Sequence, residues 1–263
     1  MGNILNINSS IELNNGTKMP RLGFGVYQIP PGKETIETVS WALEAGYRHI
    51  DTAKFYKNEV SVSKAIRNSG IARDKIWVTT KLWPTDFINI EKAFETSLAK
   101  LDIDYIDLYL VHFPIPGTIK KVWGKMETIY KTGKVKAIGV SNYGADHLQD
   151  TIDCATIPPS VNQMRCSVFG YNKDVYELCQ KQNIAFEAYS PLTQGKQLNN
   201  PEVSLIAEQY SKTTAQIMLR WALQKNIVVI PKSQTQTRII ENTKIFDFEI
   251  SDEDMKALDL LSA

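Results

Sequence analysis

Eight short apolar segments, rich in β-branched residues and each followed by a helical pattern, constrain this fold more than any other feature. They fall at about 24–26, 49–51, 76–81, 106–112, 137–141, 161–164, 184–189 and 227–230. Helical patterns run over about 34–45, 59–69, 89–100, 119–131, 145–153, 173–181 and 215–224, and Gly46, Gly70 and Gly133 stop three of them. Thr213-x-x-Gln216 is a capping box for the helix before the eighth strand, and a final helix starts at Ser251 with Asp254 three residues on. Strands separated by helices pair in parallel, because each crossover helix returns the chain to the same end of the sheet. A doubly wound sheet would show fewer units and a glycine-rich first turn. Here Gly23-Phe24-Gly25 continues as Val26-Tyr27-Gln28 and never completes G-x-G-x-x-G. The pattern predicts an α/β fold, a single (β/α)8 TIM barrel over residues 1–263, with an N-terminal β-hairpin closing its bottom. That hairpin is read from the alternation in Ile4–Ile7 and Ile11–Leu13 around Ser9-Ser10, with Asn14-Asn15-Gly16 as the next turn.

Charge and composition exclude several partners. Thirty lysines and arginines against 29 aspartates and glutamates leave a net charge of +1, which gives no field to attract nucleic acid or an anionic membrane. No apolar run approaches the roughly 18 residues of a membrane span, and no charged stretch precedes an apolar core as in a secretory signal. Cys154, Cys166 and Cys179 are odd in number and widely spaced, unlike a disulfide framework or a zinc site, and suit a reducing compartment. A cytoplasmic monomer is the expectation.

In a barrel of this kind the active site lies at the C-terminal ends of the strands. Those ends carry Asp51, Lys81, His112, Ser141-Asn142, Gln163, Tyr189-Ser190 and Lys232, and Tyr56 follows Asp51 on a short loop. Singly, each has an ordinary explanation: a capping aspartate, a solvated lysine, a satisfied histidine, a helix cap. Together, almost every unit delivers a hydrogen-bonding group to one rim. The set also has a chemical logic. A free phenol has a pKa of about 10, a nearby ammonium stabilises its anion, and a carboxylate fixes that ammonium. A histidine beside the phenol can orient a carbonyl oxygen, which suits proton delivery to an oxygen that becomes negative as hydride reaches carbon. Three histidines without an H-x-x-x-H pair do not point to a metal.

Seven motifs stand in order: MPRLGFGVYQ (19–28), GYRHIDTAKFYKNE (46–59), TTKLW (79–83), YIDLYLVHFP (105–114), KAIGVSN (136–142), AYSPL (188–192) and IPKS…R…EN (230–242). On these the chain resembles the aldo-keto reductases, over about residues 19–247, and is similar to the short microbial diketo-gluconate and prostaglandin F synthase-like reductases. The resemblance implies a barrel that binds NADPH in extended form and reduces the carbonyl of small aldehydes or ketones. It implies a catalytic tetrad at Asp51, Tyr56, Lys81 and His112, with Tyr56 as general acid, Lys81 and Asp51 tuning it, and His112 orienting the carbonyl. Cofactor contacts would fall on Gly25, Val26 and Asp51; on Ser141, Asn142 and Gln163 at the carboxamide; and on Tyr189 stacked on the nicotinamide. Ser190 and Leu192 would follow the pyrophosphate, Lys232, Ser233 and Arg238 would hold the 2′-phosphate, and Glu241 and Asn242 the adenine. An ammonium and a guanidinium beside a short helix after the eighth strand form a phosphate site on physical grounds too. Tyr27, Trp83, His112 and Phe113 would line the substrate pocket.

The chain departs from the family pattern in places. Phe113 replaces a usual Trp, Met164-Arg165-Cys166-Ser167 follows Gln163 in place of a Glu-Leu-His-Pro type of run, and Ser63 replaces a Gly. About six residues separate His112 from the next helix, which predicts an open, shallow pocket. Two other functions compete. A non-catalytic NADPH-sensing subunit on the same fold conflicts with the intact tetrad. A Schiff-base aldolase using Lys81 explains one lysine but neither Tyr56 nor the C-terminal cationic set. Lys54 and Phe55, inside the second motif, have no assigned role. Lys232 and Arg238 predict a KM for NADPH well below that for NADH, measured by initial rates with each cofactor; comparable values would remove the 2′-phosphate site.

Overall fold

The eight apolar segments pair side by side into one parallel sheet that closes on itself. The computed structural model describes residues 5–262. An antiparallel hairpin, β1 (Ser10–Glu12) and β2 (Lys18–Pro20), precedes the barrel strands. These are β3 (Phe24–Gly25), β4 (His49–Asp51), β5 (Trp77–Leu82), β6 (Ile106–Val111), β7 (Val135–Ser141), β8 (Val161–Arg165), β9 (Ala185–Tyr189) and β10 (Val228–Ile230), hydrogen-bonded in that order. Leu22 bridges in parallel to Val229, and the Gly23 amide donates to the Val229 carbonyl at 2.8 Å, which joins the first barrel strand to the last. The helices are α1 (Lys33–Glu44), α2 (Glu59–Asn68), α3 (Ile90–Leu101), α4 (Ile119–Lys131), α5 (Ala145–Cys154), α6 (Lys173–Lys181), α7 (Pro201–Gln209), α8 (Thr214–Gln224), α9 (Gln236–Glu241) and α10 (Asp252–Leu260). Among the described residues no helix is long and apolar enough to cross a membrane.

Two features differ from the sequence reading. The hairpin turns at Asn14-Asn15-Gly16, one turn later than predicted, and pairs 10–12 with 18–20. The turn side chains explain the choice. Asn14 Nδ2 donates to the Pro159 carbonyl and Asn15 Nδ2 to the Lys136 carbonyl, anchoring this turn under the barrel. Ile4, in the predicted first arm, lies outside the described residues. Helix α7 has no counterpart in the sequence reading. It starts at Pro201 behind Asn200, whose side chain accepts from the Glu202 and Val203 amides. Only Val203, Ile206 and Ala207 form its buried stripe, and the exposed Leu205 blurs the period.

Period-2 geometry then decides which residues meet inside. Trp77, Leu108, Leu110, Ala137, Val161, Ala185 and Val228 form an interior apolar cluster with Leu13 and Met19 of the hairpin, which plugs the bottom. Lys81 lies two and four residues beyond Thr79 and Trp77 on the same strand face, so it enters the interior near the mouth. Val78 and Leu82, on the opposite face, join the outer core under the helices. Gly139 is required by this closeness: a methyl there would lie 2.4 Å from the Val161 carbonyl oxygen and 2.8 Å from Leu110 Cδ2. Gly139→Ala should therefore lower stability by about 1–3 kcal/mol, the usual cost of overpacking, as read by denaturant unfolding.

Candidate active site

A buried ammonium lies at the centre of the barrel mouth. Lys81 Nζ is fully buried and donates to both oxygens of Asp51, at 2.7 and 2.8 Å, and to the Thr52 carbonyl at 2.9 Å. Its remaining contact is the Tyr56 hydroxyl at 3.3 Å. The β4–β5 pairing sets this meeting, since Asp51 aligns with Thr79 and Lys81 stands one inward position further on. Burial opposes the Lys81 charge, but its neighbours, the Asp51 carboxylate foremost, outweigh it and hold the ammonium above its ordinary range.

Tyr56 ends a 3-10 turn, Lys54–Tyr56, that leaves the mouth of β4. Three contacts clamp that turn. Lys54, which the sequence left without a role, pairs with Asp86. Phe55, likewise unassigned, stacks on Trp83 with ring centroids 4.1 Å apart. Beneath them the buried Asn58 accepts from Thr52 Oγ1 at 2.8 Å and donates to the Val26 and Ile29 carbonyls. Asn58 escaped the sequence reading because an Asn in a polar loop carries no signal of burial.

Electrostatics corrects one expectation. Burial, the largest influence, pushes the Tyr56 phenol up to about 12; the Lys81 ammonium lowers it and Asp51 raises it. The ammonium thus does not bring the free phenol toward neutrality. It keeps a ready counter-charge beside a phenol that stays protonated. His112 directly follows β6 with its ring 5.7 Å from that of Tyr56, and burial, then the Lys81 charge, lowers it to about 3. The imidazole is neutral.

Trp83 packs edge-on against His112 at 5.0 Å, and Phe113 stacks on the same imidazole at 5.4 Å. Tyr27 lies 5.0 Å from the Tyr56 ring. Tyr27, Phe55 and Phe113 are 43%, 46% and 40% exposed, so this aromatic wall is open to solvent.

The remaining predicted residues divide into a tight inner group and a loose outer one. Gly25 and Val26 are buried between the mouths of β4 and β10, where the Gly25 amide donates to the Pro231 carbonyl and the Val26 amide to the Asp51 carbonyl. Asn142, at a left-handed φ of 63°, donates to the His112 carbonyl at 3.0 Å and to the buried Ser141 Oγ at 3.1 Å, and it accepts from the Tyr189 hydroxyl at 2.7 Å. Gln163 Nε2 donates to Asp51 and to Glu187, each at 2.8 Å, and Gln163 Oε1 accepts from no other described residue. Ser190 has a left-handed φ of 50°, and Leu192 is half-buried just beyond it. Further out, Lys232 and Arg238 are exposed and form no ion pair among the described residues, with Ser233 between them. Helix α9 has only six residues, so these side chains rather than a helix dipole supply the positive charge there. Glu241 accepts from Thr213 Oγ1 at 2.9 Å, and Asn242 is buried. Among the described residues no cluster of His, Cys, Asp or Glu could hold a metal ion.

Known proteins match this chain along almost its whole length. The family model described as aldo/keto reductase matches residues 21–263. Glyoxal reductase of Bacillus subtilis (strain 168) is 44% identical over 258 residues, covering 97% of this chain and 94% of that protein. Methylglyoxal reductase of Yersinia pestis is 43% identical over 252 residues, covering 94% and 91%. A crystal structure of an aldo/keto reductase from Brucella melitensis superposes with a TM-score of 0.93 at 44% identity, covering 97% of this chain and 99% of that one.

The clamp under Tyr56 is measurable. Asn58→Ala removes the acceptor of the buried Thr52 hydroxyl and one donor from each of the Val26 and Ile29 carbonyls, which keep the Ile29 amide and the Thr35 hydroxyl, and should cost about 1–3 kcal/mol in unfolding free energy. It should also lower turnover more than it raises KM, because it loosens the phenol.

Proposed function

The chain belongs to the aldo/keto reductase family, and from that premise we propose that it reduces small aldehydes and ketones with NADPH, Tyr56 delivering the proton. The observation that carries this is the Lys81 ammonium, held by Asp51 on one side and 3.3 Å from the Tyr56 hydroxyl on the other. The glyoxal reductase of Bacillus subtilis and the methylglyoxal reductase of Yersinia pestis are named for small dicarbonyls, and an open aromatic mouth suits a substrate of that size.

The residues at the rim fit the cofactor. Lys232 and Arg238, exposed and in no ion pair among the described residues, with Ser233 between them in the sequence, suit a phosphate monoester, which favours NADPH over NADH. The Tyr189 ring, fixed through its hydroxyl by Asn142, offers a flat face for the nicotinamide. Gln163 Oε1 is an acceptor for a carboxamide N–H, while its nitrogen stays with the two carboxylates. Ser141 and Asn142 would complete the carboxamide site, Ser190 and Leu192 would border the pyrophosphate, and Glu241 and Asn242 would meet the adenine. When bound, NADPH supplies the hydride.

The chain's own residues do the rest. Neutral His112 donates an N–H to the carbonyl oxygen and orients it, without competing for the proton. Tyr56 transfers its proton to that oxygen as negative charge develops on it. Lys81 then holds the phenolate, and its long contact to the hydroxyl can tighten once the oxygen is charged. Asp51 keeps the ammonium charged and in place. Trp83, Phe113 and Tyr27 exclude water from one side of the reacting carbonyl.

Tyr56→Phe tests this reading with glyoxal and methylglyoxal as substrates and NADPH oxidation as the signal. Turnover should drop by about 10²–10⁴-fold, the scale of general acid catalysis, while NADPH binding followed by fluorescence is retained. Wild-type rates in that variant would remove the phenol from the mechanism.

A further inference from the structure

Below the Lys81–Asp51 pair lies a carboxylate that the mechanism so far does not use. Glu187, on β9, has no exposed surface. Its Oε2 accepts from Gln163 Nε2 at 2.8 Å, and the same nitrogen donates its other proton to Asp51 Oδ2 at 2.8 Å. Glu187 Oε1 has no hydrogen-bond partner and lies 3.5 Å from His49 Nε2. His49 is also fully buried; its Nε2 is 3.1 Å from Thr79 Oγ1 and its Nδ1 is unpartnered. The groups facing Glu187 are Asp51 and His49 from β4, Lys81 from β5 and the uncharged Gln163 from β8, while β10 brings Val228 to its register. Two carboxylates therefore share one ammonium in a dry interior, where an unpaired charge is costly.

We propose that Glu187 is a positioning residue that is protonated in the working enzyme and, through Gln163, sets the charge balance of the Asp51–Lys81–Tyr56 unit. The proposal rests on Tyr56 as the proton donor. With Glu187 neutral, Asp51 alone balances Lys81, and the ammonium can stabilise the phenolate left after proton transfer. When Glu187 ionises by losing its proton to solvent, a second negative charge enters the same interior. The phenolate is then disfavoured and turnover falls. Gln163 transmits the change because its one nitrogen bonds both carboxylates. The surroundings agree in direction. Burial and the Asp51 charge push the Glu187 carboxyl up to about 8, against Gln163 and Lys81. Burial, the largest influence, also lowers His49 to about 3, so the imidazole does not take the proton. Tyr56 near 12 and His112 near 3 leave the range between pH 7 and pH 9 to Glu187.

Glu187→Gln keeps the side chain's size and makes it neutral at every pH. In the wild type, kcat for glyoxal reduction at saturating NADPH should fall about tenfold between pH 7 and pH 9, as one site titrating near 8 requires. In E187Q kcat should hold its low-pH value over that range, with NADPH affinity unchanged in both. Stability supplies a readout independent of activity. A carboxyl whose folded pKa exceeds its unfolded value of about 4.3 favours the fold fully below that value and loses this contribution as pH rises toward 8. The Tm of E187Q relative to wild type should therefore rise from pH 5 to pH 8 and level off above. A purely structural role would give one Tm difference at all pH values and unchanged profile shapes, and either result overturns the proposal. If E187Q does not fold, the infrared band of a protonated buried carboxyl in the wild type decides. Its loss over the same pH range as kcat supports the proposal, and its absence at pH 7 overturns it. Full turnover in Tyr56→Phe would overturn the proton-donor reading and the link with it, while the pH dependence of Tm would still report Glu187 itself.

Discussion

One buried ammonium organises the mouth of this barrel. Lys81 has no solvent to stabilise it, so the fold must supply every partner, and stripping a partner from such a charge costs about 3–5 kcal/mol. Asp51 and the Thr52 carbonyl supply most of that stabilisation, and both come from the end of β4. The parallel register of β4 and β5 is thus tied to an electrostatic requirement as well as to packing. The Tyr56 hydroxyl takes the remaining direction and inherits its position from the same demand.

The barrel is built as two halves with opposite chemistry. Its lower interior is apolar and closed by Leu13 and Met19, so nothing there competes for the polar groups above. Its upper interior is a continuous polar chain from Tyr56 through Lys81, Asp51 and Gln163 to Glu187. A low local dielectric strengthens each link and penalises each unpaired charge. Burial keeps the Tyr56 phenol neutral against the pull of the neighbouring ammonium, and burial and that ammonium together keep the His112 imidazole neutral. That division suits a reduction, in which the proton must be present before hydride arrives.

The loop carrying Tyr56 shows how a short segment acquires precision. Six residues from Asp51 to Tyr56 cannot hold a phenol by themselves. Lys54 on Asp86, Phe55 on Trp83 and Asn58 beneath the turn fix it from three directions. The aromatic contacts place Trp83 against both this loop and His112, so one side chain is both part of the wall of the mouth and a support of the Tyr56 loop.

By itself the sequence determined the barrel, because strand and helix periods are local and repeat eight times. The gathering of Asp51, Tyr56, Lys81 and His112 at one mouth was legible too, because Asp51, Lys81 and His112 each mark the end of an apolar run. The capping box at Thr213 and Gln216 was legible for the same reason. Only the tertiary structure decided what lies between those residues. The hairpin's turn depends on carbonyls at Lys136 and Pro159, more than a hundred residues away. The role of Asn58, the pairing of Lys54 and the sharing of Gln163 between two carboxylates depend on groups brought from other strands. Glu187 reads in the sequence as one polar residue in a strand; its burial beside a second carboxylate appears only when β4, β8 and β9 meet. Local periods are encoded within a few residues, whereas the charge balance of an interior depends on every strand that faces it.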